Sequence, residues 1–97
     1  MIDIYICEDS DEQREIIRRY VKAAILIKEY DMKLKIATDD PEKIIEELKL
    51  SKNTGLYFLD IDLQAAKNGL TLAKEIREYD PRGFIVFVTS HSEMAFL

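Results

Sequence analysis

Two short apolar runs end abruptly at polar side chains. Leu56–Ile61 (LYFLDI) carries Asp60 near its end, and Phe84–Val88 (FIVFV) is followed directly by Thr89. Unbroken apolar runs of this length are typical of strands buried on both faces of a parallel sheet. The sequence therefore predicts two such strands, and their burial requires helices on both sides of the sheet.

Segments with helical periodicity alternate with the predicted strands. Ile2–Cys7 (IDIYIC) is predicted to be a strand, and Met32–Ala37 (MKLKIA) alternates apolar residues with Lys, as in a half-exposed edge strand. Capping residues followed by apolar residues at helical spacing predict three helices, which follow Ser10, Asp40 and a turn at Asn68-Gly69.

The first of these helices is expected to have one apolar face, formed by Ile16, Ile17, Tyr20, Val21, Ala24 and Ile25. A fourth helix is expected to begin at Ser90, which has capping-box spacing with Glu93, and to continue to Leu97. The order β-α-β-α-β-α-β predicts an α/β fold in one domain, residues 1–97, with a parallel sheet between layers of helices.

Composition excludes several classes of protein. The 97 residues carry a net charge of −5, which disfavours nonspecific binding to nucleic acid. The single cysteine, Cys7, excludes an internal disulfide framework. The N-terminus lacks a basic stretch before its apolar residues, and no apolar run is long enough to span a membrane. We therefore expect a cytoplasmic protein with no membrane contact.

Acidic side chains follow the first and third predicted strands. Glu8 and Asp9 come after the first, Asp60 ends the third, and Asp62 lies two residues further on. The carboxyl ends of parallel strands lie at one edge of the sheet, so Glu8, Asp9 and Asp60 are expected to meet there. Acids at strand ends can also simply terminate strands and cap the next helix, and Asp9 is open to that interpretation.

Clustered carboxylates need something to offset their charge, and no basic residue lies beside these in the sequence. Mg²⁺ suits one or two carboxylates together with water and phosphate oxygens. A carboxylate such as Asp60 can also be a nucleophile towards phosphorus, and the hydroxyl of Thr89 could then hydrogen-bond a phosphoryl oxygen. The pattern therefore indicates phosphoryl chemistry supported by Mg²⁺.

These features resemble the receiver domain of bacterial two-component response regulators. The motifs are ICED, YFLDIDL, NG before the third helix, and FVTSHSE. Together with ATDDP and NGLTLAKEIREYDP, they are similar to the accessory-gene-regulator subfamily, whose members carry a LytTR-type DNA-binding domain after the receiver. The resemblance implies a flavodoxin-like three-layer sandwich with strand order 2-1-3-4.

The resemblance also implies roles for individual residues. Asp60 matches the phosphoacceptor, which takes a phosphoryl group from a sensor histidine kinase in quorum-sensing-type signalling. Glu8 and Asp9 match the acidic pair that holds Mg²⁺ with Asp60. Asp62 matches the position whose backbone carbonyl completes that metal site, and Thr89 matches the switch hydroxyl. Gly69 matches the glycine that frees the loop after the acceptor strand.

The chain departs from the family pattern after its fourth strand. The family's fifth strand, its fifth helix and the lysine that pairs with the phosphoryl group have no counterpart here, and Lys28, Lys43, Lys67 and Lys74 do not match that lysine. The resemblance thus implies a shortened receiver that reaches DNA only through a C-terminal domain absent from this sequence. The open edge of the fourth strand is expected to favour a homodimer or a strand-swapped oligomer, and an uncovered apolar patch is expected on the first helix and the sheet.

Two alternatives remain at this point. A haloacid-dehalogenase-like phosphatase would use Asp60 as nucleophile and Asp62 as general acid, but Gln64 stands where that motif expects Thr or Val, and Glu8 and Asp9 would have no role. A pseudo-receiver, an interaction fragment with an inactive pocket, would fit the missing lysine. A receiver is the main prediction, and it is not an enzyme.

Overall fold

The computed structural model describes residues 1–63, 67–88 and 94–96. In these residues the elements follow in the order β1 (Ile2–Cys7), α1 (Asp11–Lys28), β2 (Met32–Thr38), α2 (Pro41–Leu50), β3 (Gly55–Asp60), α3 (Gly69–Tyr79), β4 (Phe84–Val88) and β5 (Met94–Phe96). No helix in the described ranges is both long enough and apolar enough to cross a membrane.

The strands form one sheet in the order β2-β1-β3-β4-β5. The first four are parallel, which confirms the predicted α/β fold and the strand order 2-1-3-4. One sheet face packs on apolar side chains of α2 and α3, and the other packs on α1 around Val21. The result is the predicted three-layer arrangement.

The predicted helix caps form in the structure. The Ser10 hydroxyl accepts a hydrogen bond from the backbone N–H of Gln13 at 3.2 Å, and the Asp40 carboxylate caps α2 before Pro41. Asn68 Oδ1 accepts from the backbone N–H of Thr71 at 2.9 Å. Asn68-Gly69, predicted to be a turn, is therefore the N-cap and first residue of α3.

The prediction of a fourth helix that continues to Leu97 is wrong for residues 94–96. Met94–Phe96 forms β5, which pairs antiparallel with β4. In this register Val86 lies opposite Phe96, and Val88 lies opposite Met94. The cap predicted at Ser90 and Glu93 lies outside the described residues. Pairing with β5 satisfies backbone groups that would otherwise be left open at the sheet edge. The open edge expected to drive strand swapping is thus occupied along residues 86–88.

A β-bulge in β2 changes which face its side chains reach. Leu34 pairs with Ile4, but Ile36 pairs with Tyr5, so Lys35 has no partner on β1. Leu34 therefore packs on the α1 side of the sheet and Ile36 on the α2–α3 side. The strand lies at the predicted edge, although its apolar residues do not share one face.

The face of the sheet covered by α1 is only partly protected. Val21 is buried, whereas Ile16 and Tyr20 are 40% and 74% exposed. The apolar face predicted for α1 is therefore wider than the part of the helix that packs on the sheet. A lone helix contacts the sheet through a narrow stripe, and neighbouring positions on its circumference remain in solvent. Phe84 of β4 is 57% exposed, although the apolar run predicted a strand that is buried on both faces. Exposed apolar side chains thus lie on both α1 and the sheet, and the patch expected from them remains a prediction.

A buried carboxylate joins β3 to the end of α3. Asp80 follows α3, and its Oδ2 accepts hydrogen bonds from the Gly55 N–H and the Tyr57 hydroxyl, each at 2.8 Å. The side chain of Tyr57 is fully buried and stacks on Tyr5, with ring centroids 4.9 Å apart. This contact fixes the amino end of β3, opposite the edge that carries Asp60.

Replacing Asp80 with Ala is expected to lower the free energy of unfolding by about 2–4 kcal/mol, because two buried donors lose their acceptor. Urea denaturation measures this change. Glu78→Ala, an exposed change on α3, is the matched control and should stay within about 0.5 kcal/mol of the parent. Equal stability of the two variants would contradict the proposed anchor.

Gly69 is required by close packing at the other end of β3. A Cβ atom at this position would clash with the backbone carbonyl oxygen of Asp60 and lie 2.9 Å from Ile61 Cα. The backbone N–H of Gly69 also donates to the carbonyl of Ile61 at 3.2 Å. The start of α3 thus rests directly on the backbone at Asp60, which leaves no room for a side chain.

Gly69→Ala is expected to destabilise the fold by about 1–3 kcal/mol through this overlap, although alanine favours helices more than glycine does. Thermal or urea unfolding tests the change, with the exposed Leu70→Ala as control. A variant as stable as the parent, or more stable, would show that the backbone at Asp60 can move aside freely.

Candidate functional site

Two carboxylates meet at the carboxyl edge of the central strands. Glu8 follows β1 and Asp60 is the last residue of β3. Because Cys7 pairs with Leu59 in the parallel register, the next residues of the two strands become neighbours. Both side chains are buried, with 6% of Glu8 and 7% of Asp60 exposed. The fold thereby places two acids side by side in a site with little access to water.

The Glu8 carboxyl is strongly affected by this environment. Burial is the largest cause of a rise in its pKa, and the nearby Asp60, which also hydrogen-bonds to it, and Asp9 raise it further. A hydrogen bond from the backbone N–H of Ser10 acts in the opposite direction, and the resulting pKa is about 7. The pair therefore resists carrying two negative charges without a compensating cation.

Backbone hydrogen bonds orient both side chains. Asp60 Oδ1 accepts from the Asp62 N–H at 2.9 Å, and Glu8 Oε1 accepts from the Ser10 N–H at 3.2 Å. Arg14 donates to the backbone carbonyl of Glu8 at 2.8 Å and forms its ion pair with Asp11. None of the ion pairs found between described residues neutralises Glu8 or Asp60.

The other predicted site residues have different surroundings. Asp9 is half-buried and acts on Glu8 through its charge, whereas Asp62 is exposed and contributes its backbone N–H to Asp60. Thr89 lies outside the described residues. Within the described ranges, no three Asp, Glu, His or Cys side chains form a preassembled metal cage. The structure thus brings Glu8 and Asp60 together, with Asp9 beside them.

Cys7 lies next to this site but is fully buried in the core between the sheet and α2–α3. Burial, followed by the charges of nearby acids, raises the pKa of its thiol to about 12. A thiol in this state is protonated at neutral pH and a poor nucleophile. Cys7 is therefore a structural residue of the core rather than a reactive one.

Lys67 is a residue that the sequence did not single out as part of the site. It lies in the connection between β3 and α3, and its ammonium group pairs with Glu42 and Glu75. The partners are distant in the sequence, so only the packing of α2 beside α3 reveals the arrangement. A lysine in a polar loop is otherwise indistinguishable from an exposed one.

Comparison with known proteins agrees with this geometry. Residues 4–97 match the response regulator receiver domain family. The accessory gene regulator protein A of Staphylococcus epidermidis is 49% identical over 94 residues, and the protein of the same name from Staphylococcus aureus is 47% identical over 94 residues. Each match covers 97% of this chain but 40% of the relative, so the chain spans two fifths of their length.

A solved structure shares the fold. The MaeR response regulator bound to beryllium trifluoride superposes with a TM-score of 0.69 and 23% identity, over 96% of this chain and 70% of that one. The family match extends over nearly the whole sequence, from β1 past the acidic edge to β5. This chain belongs to the response regulator receiver domain family.

Proposed function

We propose that this chain is the phosphoacceptor domain of a transcriptional response regulator in two-component signalling. The observation that carries the proposal is the buried Asp60 carboxylate, held against Glu8 at the carboxyl edge of a receiver-family sheet. A sensor histidine kinase is the proposed donor. Because the relatives are named accessory gene regulators, we also propose a quorum-sensing-type regulator that acts in the cytoplasm and binds DNA through a further domain.

The nucleophile of the proposed transfer is the carboxylate of Asp60. Because Oδ1 of Asp60 is held by the Asp62 N–H, Oδ2 is the oxygen expected to attack phosphorus. The bond between phosphorus and the kinase histidine nitrogen breaks as the new bond to oxygen forms, which leaves an acyl phosphate on Asp60. The new group adds charge and acceptor oxygens at the sheet edge.

The acidic residues fit a magnesium ion. Their hard oxygen atoms are suitable ligands, and the contact between Glu8 and Asp60 lacks a basic partner. A preassembled cage is not needed, since Mg²⁺ commonly binds one or two carboxylates and completes its shell with water. We propose the carboxylates of Glu8, Asp9 and Asp60 and the backbone carbonyl of Asp62 as its ligands. When bound, Mg²⁺ supplies positive charge that offsets the charge of the phosphoryl group.

Thr89 is proposed to be the switch hydroxyl. It directly follows Val88, the residue of β4 that pairs with Asp60. This position in the chain is consistent with a hydroxyl that hydrogen-bonds the phosphoryl group, and its movement would carry the change to the segment after β4.

The alternatives receive less support. Asp62, the general acid of the phosphatase hypothesis, is exposed, and its backbone N–H donates to the Asp60 carboxylate. We therefore propose a signalling domain that does not turn over substrate, and release of phosphate from a small phosphomonoester would contradict this. Self-association is also proposed, through exposed Ile16, Tyr20 and Phe84, since β5 occupies much of the expected open edge.

Incubation with acetyl phosphate and Mg²⁺ is expected to add one phosphoryl group, detected by intact mass. Asp60→Asn should abolish the adduct because it removes the nucleophile, whereas Asp62→Asn should retain it because its backbone contacts persist. An adduct on Asp60→Asn would place the acceptor elsewhere. Absence of any adduct in folded protein would favour the pseudo-receiver.

Glu8→Gln is expected to stabilise the metal-free protein by roughly 1–3 kcal/mol at pH 8, because it removes one of two buried like charges. The folded-state pKa of Glu8 is raised from 4.5 to about 7, so the destabilising effect of its charge develops as pH rises through this interval. The gain should therefore vanish below pH 4.5.

Urea denaturation in EDTA across this pH range measures the effect. Adding Mg²⁺ at pH 8 should stabilise the parent more than the Glu8→Gln variant. A variant that is less stable than the parent in EDTA at pH 8 would contradict the proposed charge repulsion.

A further inference from the structure

Lys67 is half-buried at the junction of three structural elements. It lies two residues before α3, yet only 15% of its side chain is exposed. Its Nζ lies 2.6 Å from Glu42 Oε1 in the first turn of α2, and it also pairs with Glu75 of α3. One ammonium group thus ties the connection after β3 to both helices on that side of the sheet.

This arrangement differs from the other ion pairs of lysine and arginine side chains in the described residues. Those of Arg14, Arg18 and Arg19 join positions within α1, and the pair of Lys35 with Glu47 is longer, at 3.8 Å. Burial lowers the pKa of Lys67, but hydrogen bonds to Glu42 and Glu75 outweigh this effect, so the pKa is raised overall. The ammonium therefore remains charged, and two carboxylates compensate it.

The two residues that follow Lys67 connect it to the backbone at Asp60. The next residue, Asn68, caps α3. Gly69 then donates its N–H to the carbonyl of Ile61 and packs against the backbone of Asp60. Ile61 lies between Asp60 and Asp62, so a shift of the chain at Lys67 would be transmitted directly to both.

We propose that Lys67 is a positioning residue that clamps the start of α3 to α2 and so holds Asp60 and the Asp62 backbone in the geometry that binds Mg²⁺. The inference deepens the proposed function and rests on it. Its charge is satisfied by Glu42 and Glu75, so Lys67 does not act as a competing cation for Glu8 and Asp60. The clamp therefore orders the acidic site while leaving its negative charge available for a metal ion.

Mg²⁺ titration by calorimetry tests this role in three variants. Lys67→Gln keeps a long polar side chain without charge and is expected to weaken Mg²⁺ binding about tenfold, as when groups supporting a metal ligand are removed. Lys67→Arg can retain both ion pairs and should keep most of the affinity. Lys74→Gln removes the same charge from an exposed position on α3 and should bind within about twofold of the parent.

A second readout separates positioning from general stability. Amide hydrogen exchange should increase in peptides covering residues 61–70 of Lys67→Gln, with little change in β1 and β2. If Lys67→Gln does not fold, Glu42→Gln removes one of the two pairs and should show a smaller loss of affinity. Parent-like Mg²⁺ affinity in folded Lys67→Gln would overturn the inference, whereas a parent protein that binds no Mg²⁺ would overturn the proposed metal site itself.

Discussion

The parallel pairing of β1 with β3 is the constraint on which the rest of the molecule depends. It places Cys7 beside Leu59 in the centre of the sheet, and the next residue of each strand is an acid. Glu8 and Asp60 therefore meet because of the register, at a cost in charge repulsion that the core around them must offset. Signalling domains often keep such a locally unfavourable site, since a ligand that relieves it can shift the conformation.

The carboxyl groups at the two ends of β3 have different partners. At the amino end, the buried carboxyl group of Asp80 accepts hydrogen bonds from Gly55 and Tyr57. At the carboxyl end, Asp60 faces another carboxylate. Stability is thus concentrated away from the acidic edge, while the edge keeps an uncompensated charge that can respond to a cation or a phosphoryl group.

Residues at the start of α3 are held near Asp60 by contacts that do not use the carboxylates of the acidic pair. Gly69 packs against the Asp60 backbone because it lacks a side chain, and Lys67 fastens the same segment to α2 and α3 through Glu42 and Glu75. Oxygen ligands bind a small ion such as Mg²⁺ well only when their positions are closely defined. Packing and ion pairs outside the acidic site can fix the positions of these ligands without reducing the negative charge of the site.

Local patterns in the sequence were sufficient for much of the fold and for part of the site. The strand and helix segments, the caps at Ser10 and Asp40, and the acids at the strand ends follow from periodicity and capping chemistry. The resemblance to receiver domains implied the strand order 2-1-3-4, which places the first strand beside the third and therefore brings Glu8 close to Asp60. The elements and their caps depend on residues close together in the chain, whereas the strand order depends on the family pattern.

Other features were decided by the tertiary structure, because they depend on which distant residues become neighbours. The bulge at Lys35 sends Ile36 to the opposite face from Leu34, and β5 replaces the expected helix at residues 94–96 by pairing with β4. Asp80 and Lys67 look like surface residues until β3 and α2 are packed against them. The sequence by itself determined the elements and the acids at their ends, whereas packing decided how those acids are supported.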